Sequence, residues 1–120
     1  MKKKLFTLLM ALVGMASMAK ADVEINATNF PDENFRNFLL SQSYGSDGVI
    51  TTDELVSITE INTWQWVNKG YRILDFTGIE HFTALQVLNI YANGPTSLNL
   101  SANTALTELD CSYCPLPSLD

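Results

Sequence analysis

A chain of 120 residues, 47% of them apolar, is enough for one small folded domain and too short for two. Thirteen acidic side chains against seven basic ones give a formal charge of −6, and outside the first twenty residues the basic ones stand singly. Phosphate backbones and anionic bilayers, which are held by clustered Lys and Arg, are therefore poor partners, and a single histidine excludes a zinc site built on several imidazoles.

The N-terminus has the three parts of a secretory signal: Lys2, Lys3 and Lys4, an apolar stretch from Leu5 to Met18, and the small-x-small triplet Ala19-Lys20-Ala21. That stretch is shorter than the roughly twenty apolar residues that cross a bilayer, so residues 1–21 are expected to be cleaved rather than to anchor the chain. Cys111 and Cys114 lie far from the cut, which leaves nothing there to take a lipid. The mature chain from Asp22 would be secreted or delivered to a cell surface without membrane insertion. It would carry Arg36, Lys69 and Arg72 against all thirteen acids, an excess of ten negative charges.

Residues 22–68 are expected to form a small helical cap. A first helix should begin at Pro31, with Asp32 and Glu33 in the first turn and Phe35, Phe38 and Leu39 on one buried stripe, and should end before Gly45. A second should begin at Thr51, where Thr51 and Glu54 have the spacing of a capping box, and continue through Leu55, Ile58 and Ile61. The two would pack as a hairpin.

The loop between them has the outline of an EF-hand. With Gly48 at loop position six, Asp47 falls at five, Val49 at the backbone-carbonyl position, Thr51 at nine and Glu54 at twelve, which makes Asp47, Thr51 and Glu54 the calcium candidates. Ser43 and Gly45 replace two of the expected carboxylates. Calcium is held by summed carboxylate charge, so a metal-free loop is the expectation, with no cofactor.

The last third repeats. A shift of 21 residues lays Leu85 on Leu106, Leu88 on Leu109, Ile90 on Cys111, Asn93 on Cys114, Ser97 on Ser118 and Leu98 on Leu119. The shared pattern L-x-x-L-x-L-x-x-N/C, at a period between 20 and 29, is that of a leucine-rich repeat. Leu88 and Ile90 would point inward from a short strand, with Leu85, Leu98 and Leu100 closing the coil. Upstream, Ile79 aligns with Leu100, but the register fails near Thr77, and Tyr71 to Phe76 is at best an irregular first coil.

On these residues the chain resembles exported bacterial leucine-rich-repeat proteins with short repeats. The resemblance implies an α/β solenoid: right-handed coils with parallel strands over residues 69–120, preceded by the helical, EF-hand-like cap. It implies that Asn93 bonds the backbone of the adjacent coil and that Cys114 is an accepted replacement there. It also implies a non-catalytic role in binding a protein or a surface glycan. The ligand face would consist of strand residues pointing outward: Gln86 or Val87, Asn89, Tyr91, Thr107, Glu108, Asp110 and Ser112. Since stacked repeats support one another, a chain stopping inside its second clear repeat is read as a fragment that would be marginally stable or self-associate through its C-terminal repeat edge.

Other chemistry fits less well. Cys111-x-x-Cys114 has redox-pair spacing, but each cysteine has a repeat position of its own, inward and turn respectively, and no helix N-terminus is expected beside them. Trp64 and Trp66 offer a sugar-stacking platform or a seal between cap and first coil, with one buried and one exposed if the segment is extended. His81 falls at a position that faces solvent, and adjacent acids such as Asp53 and Glu54 diverge on a helix, so no catalytic set is expected. A calcium-binding module through loop 43–54, or the recognition part of a larger secreted enzyme, are the alternative readings.

Overall fold

The computed structural model describes residues 21–117, so the signal sequence through residue 20 and the repeat positions Ser118 and Leu119 lie outside the described residues. The cap starts with β1 (Val23–Glu24), which pairs antiparallel with β2 (Val49–Ile50) through Val23 opposite Ile50. This pair ties the loop after the first helix back to the N-terminal segment and was not expected from the sequence. Among the described residues no helix is long and apolar enough to cross a membrane.

Helix α1 (Glu33–Leu40) begins one residue after Asp32 rather than at Pro31. The reason is the carboxylate: Asp32 Oδ1 accepts the Phe35 N–H at 3.0 Å, which makes Asp32 the N-cap and leaves Pro31 outside. Phe35, Phe38 and Leu39 are buried on one stripe, as their spacing predicts.

Helix α2 (Thr52–Leu55) keeps the expected capping box: Thr51 Oγ1 accepts from the Glu54 N–H at 3.2 Å, and Glu54 Oε1 accepts from the Thr51 N–H at 2.8 Å. The continuation to Ile61 does not occur, and α2 is a single turn instead of one arm of a helical hairpin. From Val56 to Ile61 four of six residues are β-branched, which lowers helix preference, and the backbone finds better partners in a sheet. The Thr59 carbonyl accepts from the N–H groups of Gln86 and Val87, and Ile61 enters β3 (Glu60–Asn62).

Three short strands then stack in parallel: β3, β4 (Val87–Asn89) and β5 (Glu108–Asp110). Ile61 lies opposite Leu88, and Leu88 opposite Leu109, so the leucines read as repeats sit above one another in neighbouring strands. The sheet starts at Glu60, inside the stretch that the sequence reading gave to the cap. Its first coil is longer: 27 residues separate Ile61 from Leu88, against 21 from Leu88 to Leu109. The extra length holds α3 (Trp64–Asn68), and this insertion is why the repeat register fails upstream of Thr77.

The core is continuous from cap to solenoid. Phe30 meets Phe35 edge-on at 5.5 Å and Phe82 at 6.3 Å, and Phe35 meets Phe76 at 5.2 Å. Gly78, at φ 109°, lies directly beneath the Phe30 ring, where any Cβ would collide with it. Polar bonds fix the same joint. Asp32 Oδ2 accepts the N–H groups of Leu74 at 2.8 Å and Asp75 at 3.1 Å, while Asn34 Nδ2 donates to the Arg72 carbonyl at 2.8 Å.

Between coils, the fully buried Asn93 is the stitch. Its Oδ1 accepts the Ile73 N–H at 2.8 Å, and its Nδ2 donates to Thr63 Oγ1 at 2.8 Å and to the Ile90 carbonyl at 3.0 Å. Asn103, which the repeat pattern did not single out, plays a similar part on the other side: its Nδ2 donates to the carbonyls of Ile79 and Phe82 at 2.9 and 3.0 Å.

Asn93→Ala, which strands the buried Ile73 N–H, is expected to cost about 3 kcal/mol, read from urea unfolding midpoints at constant slope. Tyr44 gives a pH signature. Burial pushes its phenol up to about 12 from about 10. Above pH 10 the unfolded chain loses this proton while the folded chain keeps it, so stability should fall as pH rises toward 12. Tyr44→Phe should flatten that part of the unfolding profile.

Candidate functional site

Side chains alternate along an extended backbone, so each strand turns its central residue inward, Ile61 and Leu88 fully buried and Leu109 half-buried, and its two flanking ones outward. The parallel register then aligns Glu60, Val87 and Glu108 in one column and Asn62, Asn89 and Asp110 in a second. Glu60, Asn62 and Glu108 are exposed, and Val87, Asn89 and Asp110 are half-buried. Gln86 is exposed at the edge of this face, and its carbonyl accepts from the N–H groups of Thr107 and Glu108 and from Thr107 Oγ1 at 3.2 Å.

The second column does structural work as well. Asn62 Oδ1 accepts the Trp64 N–H at 2.9 Å, Asn89 Oδ1 the Tyr91 N–H at 3.0 Å, and Asp110 Oδ1 the Ser112 N–H at 3.0 Å. Each coil thus leaves its strand through the same side-chain-to-backbone turn, a preferred use of Asn and Asp. Ser112, through its hydroxyl and its backbone N–H, holds the Asp110 carboxyl below the usual carboxylate range.

Beside this column runs a strip of aromatic rings. Trp64 and Tyr91, each two residues after its column residue, meet edge to face at 5.0 Å and 79°; Tyr91 meets Tyr113 at 5.3 Å and 69°. Trp64 is 45% exposed and Tyr113 79%. Tyr113 sits at φ 61°, and Ala92, its equivalent one repeat earlier, at φ 60°. A depression of about 310 Å³ is lined by Trp64, Asn89, Tyr91 and Asp110.

Of the residues that the sequence assigned to a ligand face, Asn89, Tyr91 and Asp110 therefore border one depression, while Thr107, Glu108 and Ser112 are exposed at the β5 end of the same face. Trp64 and Tyr113 were not counted among them. Aligning Ile61 with Leu88 would have revealed Trp64, since it then falls opposite Tyr91.

Trp64 and Trp66 do differ in exposure, but they lie in α3 and not in an extended segment. Trp66 is the half-buried one: its ring contacts Phe38 and Tyr71, and Lys69 Nζ lies 5.6 Å from its centroid. His81 is half-buried, not exposed, because its ring packs against Phe30 at 5.8 Å.

In the cap loop, Asp47 Oδ1 accepts the Val49 N–H at 3.1 Å, Thr51 caps α2 and Glu54 completes the capping box. Among the described residues no three His, Cys, Asp or Glu side chains group as a metal site would need.

The two cysteines are free thiols. Cys111 is half-buried, and Cys114 Sγ donates to the Ile90 carbonyl at 3.1 Å, the same carbonyl that Asn93 bonds. Burial raises the Cys114 pKa.

No family model matches the chain, and no curated protein does. Solved structures match. The functional domain of InlJ from Listeria monocytogenes, which includes a cysteine ladder, superposes with a TM-score of 0.67 at 29% identity, over 86% of this chain and 22% of that one. An internalin (inlF) from Listeria monocytogenes gives 0.66 at 25%, over 85% and 29%. Internalin C2 from the same species gives 0.67 at 23%, over 86% and 44%. The fold is a leucine-rich-repeat solenoid, similar to that of these bacterial proteins.

The chain spans less than half the length of each of these proteins. In leucine-rich-repeat terms Cys111 continues the inward column of Thr63 and Ile90, and Cys114 the turn column of Asn93.

Iodoacetamide at pH 7.5 is expected to modify Cys114 more slowly than an unfolded control peptide, by mass spectrometry of the timed digest. Equal rates would mean that Cys114 has neither its burial nor its bond to Ile90.

Proposed function

We propose that this chain is a non-catalytic recognition protein, exported by residues 1–21 and acting outside the cell, that binds a protein partner through the outward face of its parallel sheet. The segment between Asp22 and β3 serves as the cap and the coils that follow present the binding residues. One observation carries the reading: two columns of outward side chains, in register over three strands, run beside a strip of partly exposed aromatic rings. Stacked coils convert a sequence repeat into an extended surface of this kind, and exposed aromatic residues are the usual anchors of protein interfaces.

The polar groups also favour binding over catalysis. Oxygens of Asn62, Asn89 and Asp110 each accept their own turn's N–H and follow the strand spacing, so they do not converge on one reacting atom. The resemblance to internalins supports the recognition scaffold and an extracellular setting.

A photo-crosslinking side chain at Thr107 or Ser112, both exposed on this face, should capture extracellular proteins. The same group at Thr104, exposed but away from the strands, should not. Capture from Thr104 alone would sink the reading.

A further inference from the structure

The outward face has a charge pattern that the coil architecture does not require. Glu60 and Glu108 occupy two of three positions in the first column, and Asp110 closes the second. Among the described residues there are three basic side chains; none lies in the two columns, and only Lys69 approaches the face, at the Asn62 and Trp64 end. Arg36 Nη1 donates to the carbonyls of Phe30 and Pro31, Arg72 donates to those of Ala92 and Asn93, and Lys69 lies over Trp66.

The aromatic strip has the complementary property. Each edge-to-face contact covers one face of one ring, but Trp64 and Tyr113 stay 45% and 79% exposed, and ring faces carry the negative quadrupole that attracts ammonium and guanidinium groups. Tyr113 is the informative residue. Its turn position takes a left-handed backbone that a bulky residue rarely adopts, and Ala92 makes the same turn one repeat earlier without a ring. The fold needs no aromatic side chain there, yet one stands 79% exposed against Tyr91.

We propose that this face takes a basic peptide segment, with an arginine or lysine side chain seated in the depression between Trp64, Tyr91 and Asp110. The proposal rests on the recognition reading above and names the chemistry of the partner. Aromatic walls and a carboxylate at one end suit a planar cation, which stacks on the rings while its N–H groups meet Asp110. Further cationic residues along the segment lie over Glu60 and Glu108. A neutral oligosaccharide would gain nothing from the negative charges of Glu60, Glu108 and Asp110.

The test titrates the full chain with a twelve-residue peptide of alternating Arg and Gly, following tryptophan fluorescence and heat. A peptide with citrulline in place of every Arg and a neutral glucan hexasaccharide serve as the other ligands. Binding of the arginine peptide alone is expected, weakening as salt rises. Asp110→Asn keeps the turn, since Asn does the same job at positions 62 and 89, and should weaken binding about tenfold. Tyr113→Ala puts the side chain of Ala92 in the equivalent turn and should weaken it about threefold, with unchanged circular dichroism.

Equal affinity for the citrulline peptide, binding of the oligosaccharide alone, or an arginine peptide indifferent to both substitutions would each overturn the proposal. If the arginine peptide fails to bind while Thr107 and Ser112 still crosslink to proteins, the cationic partner is wrong and the recognition reading stands. Capture from Thr104 alone removes the recognition reading and this proposal with it.

Discussion

Where a coil leaves the sheet, its backbone runs through an apolar interior and its N–H and C=O groups cannot all reach a strand partner or water. Asn93 meets that demand with one carboxamide, which takes the Ile73 N–H and gives its own hydrogens to Thr63 and to the Ile90 carbonyl. A buried amide with these bonds favours one stacking distance and one register, since slippage would leave several polar groups unpaired at once. The pairing of Leu88 with Ile61, and hence the alignment of the outward side chains of β3 and β4, agrees with that constraint. Cys114 continues the column with a weaker donor to the same carbonyl, so the interior of the next coil is less tightly specified.

The cap is joined to the coils by a second device of the same type. The Asp32 carboxylate ends α1 with one oxygen and ties down Leu74 and Asp75 with the other, and the ring cluster of Phe30, Phe35, Phe76 and Phe82 fills the space behind it. A helix whose capping residue also holds the first coil cannot move independently of the sheet. The first strand accordingly has covered apolar surface on its cap side, which an open-ended solenoid would lack.

Much of this was legible from residue spacing. The 21-residue shift gave the stacking of Leu88 on Leu109, and the residue types gave the buried stripe of α1 and the capping box at Thr51. What escaped had physical causes. Leu55, Ile58 and Ile61, three residues apart, satisfy a helical stripe as well as a turn followed by a strand, and only pairing with β4 decides between them. The six-residue excess around α3 hid the first coil, and with it the relation between Trp64 and Tyr91. The β1–β2 pair is two residues long on each side, too short to give a period. Of the residues assigned to the outward face, Asn89 and Asp110 end their strands, whereas Tyr91 lies two residues beyond β4 rather than on it, and Tyr113 went uncounted because its turn carries it out of register with Tyr91.

The column of Asn62, Asn89 and Asp110 has an evolutionary consequence. An amide and a carboxylate can each present the oxygen that closes the turn, so the two residue types interchange there at little structural cost. The surface potential of each coil can then drift by a full elementary charge while the scaffold beneath stays fixed. Architecture and partner preference are thereby separated: selection can rewrite the second, one rung at a time, without reopening the first.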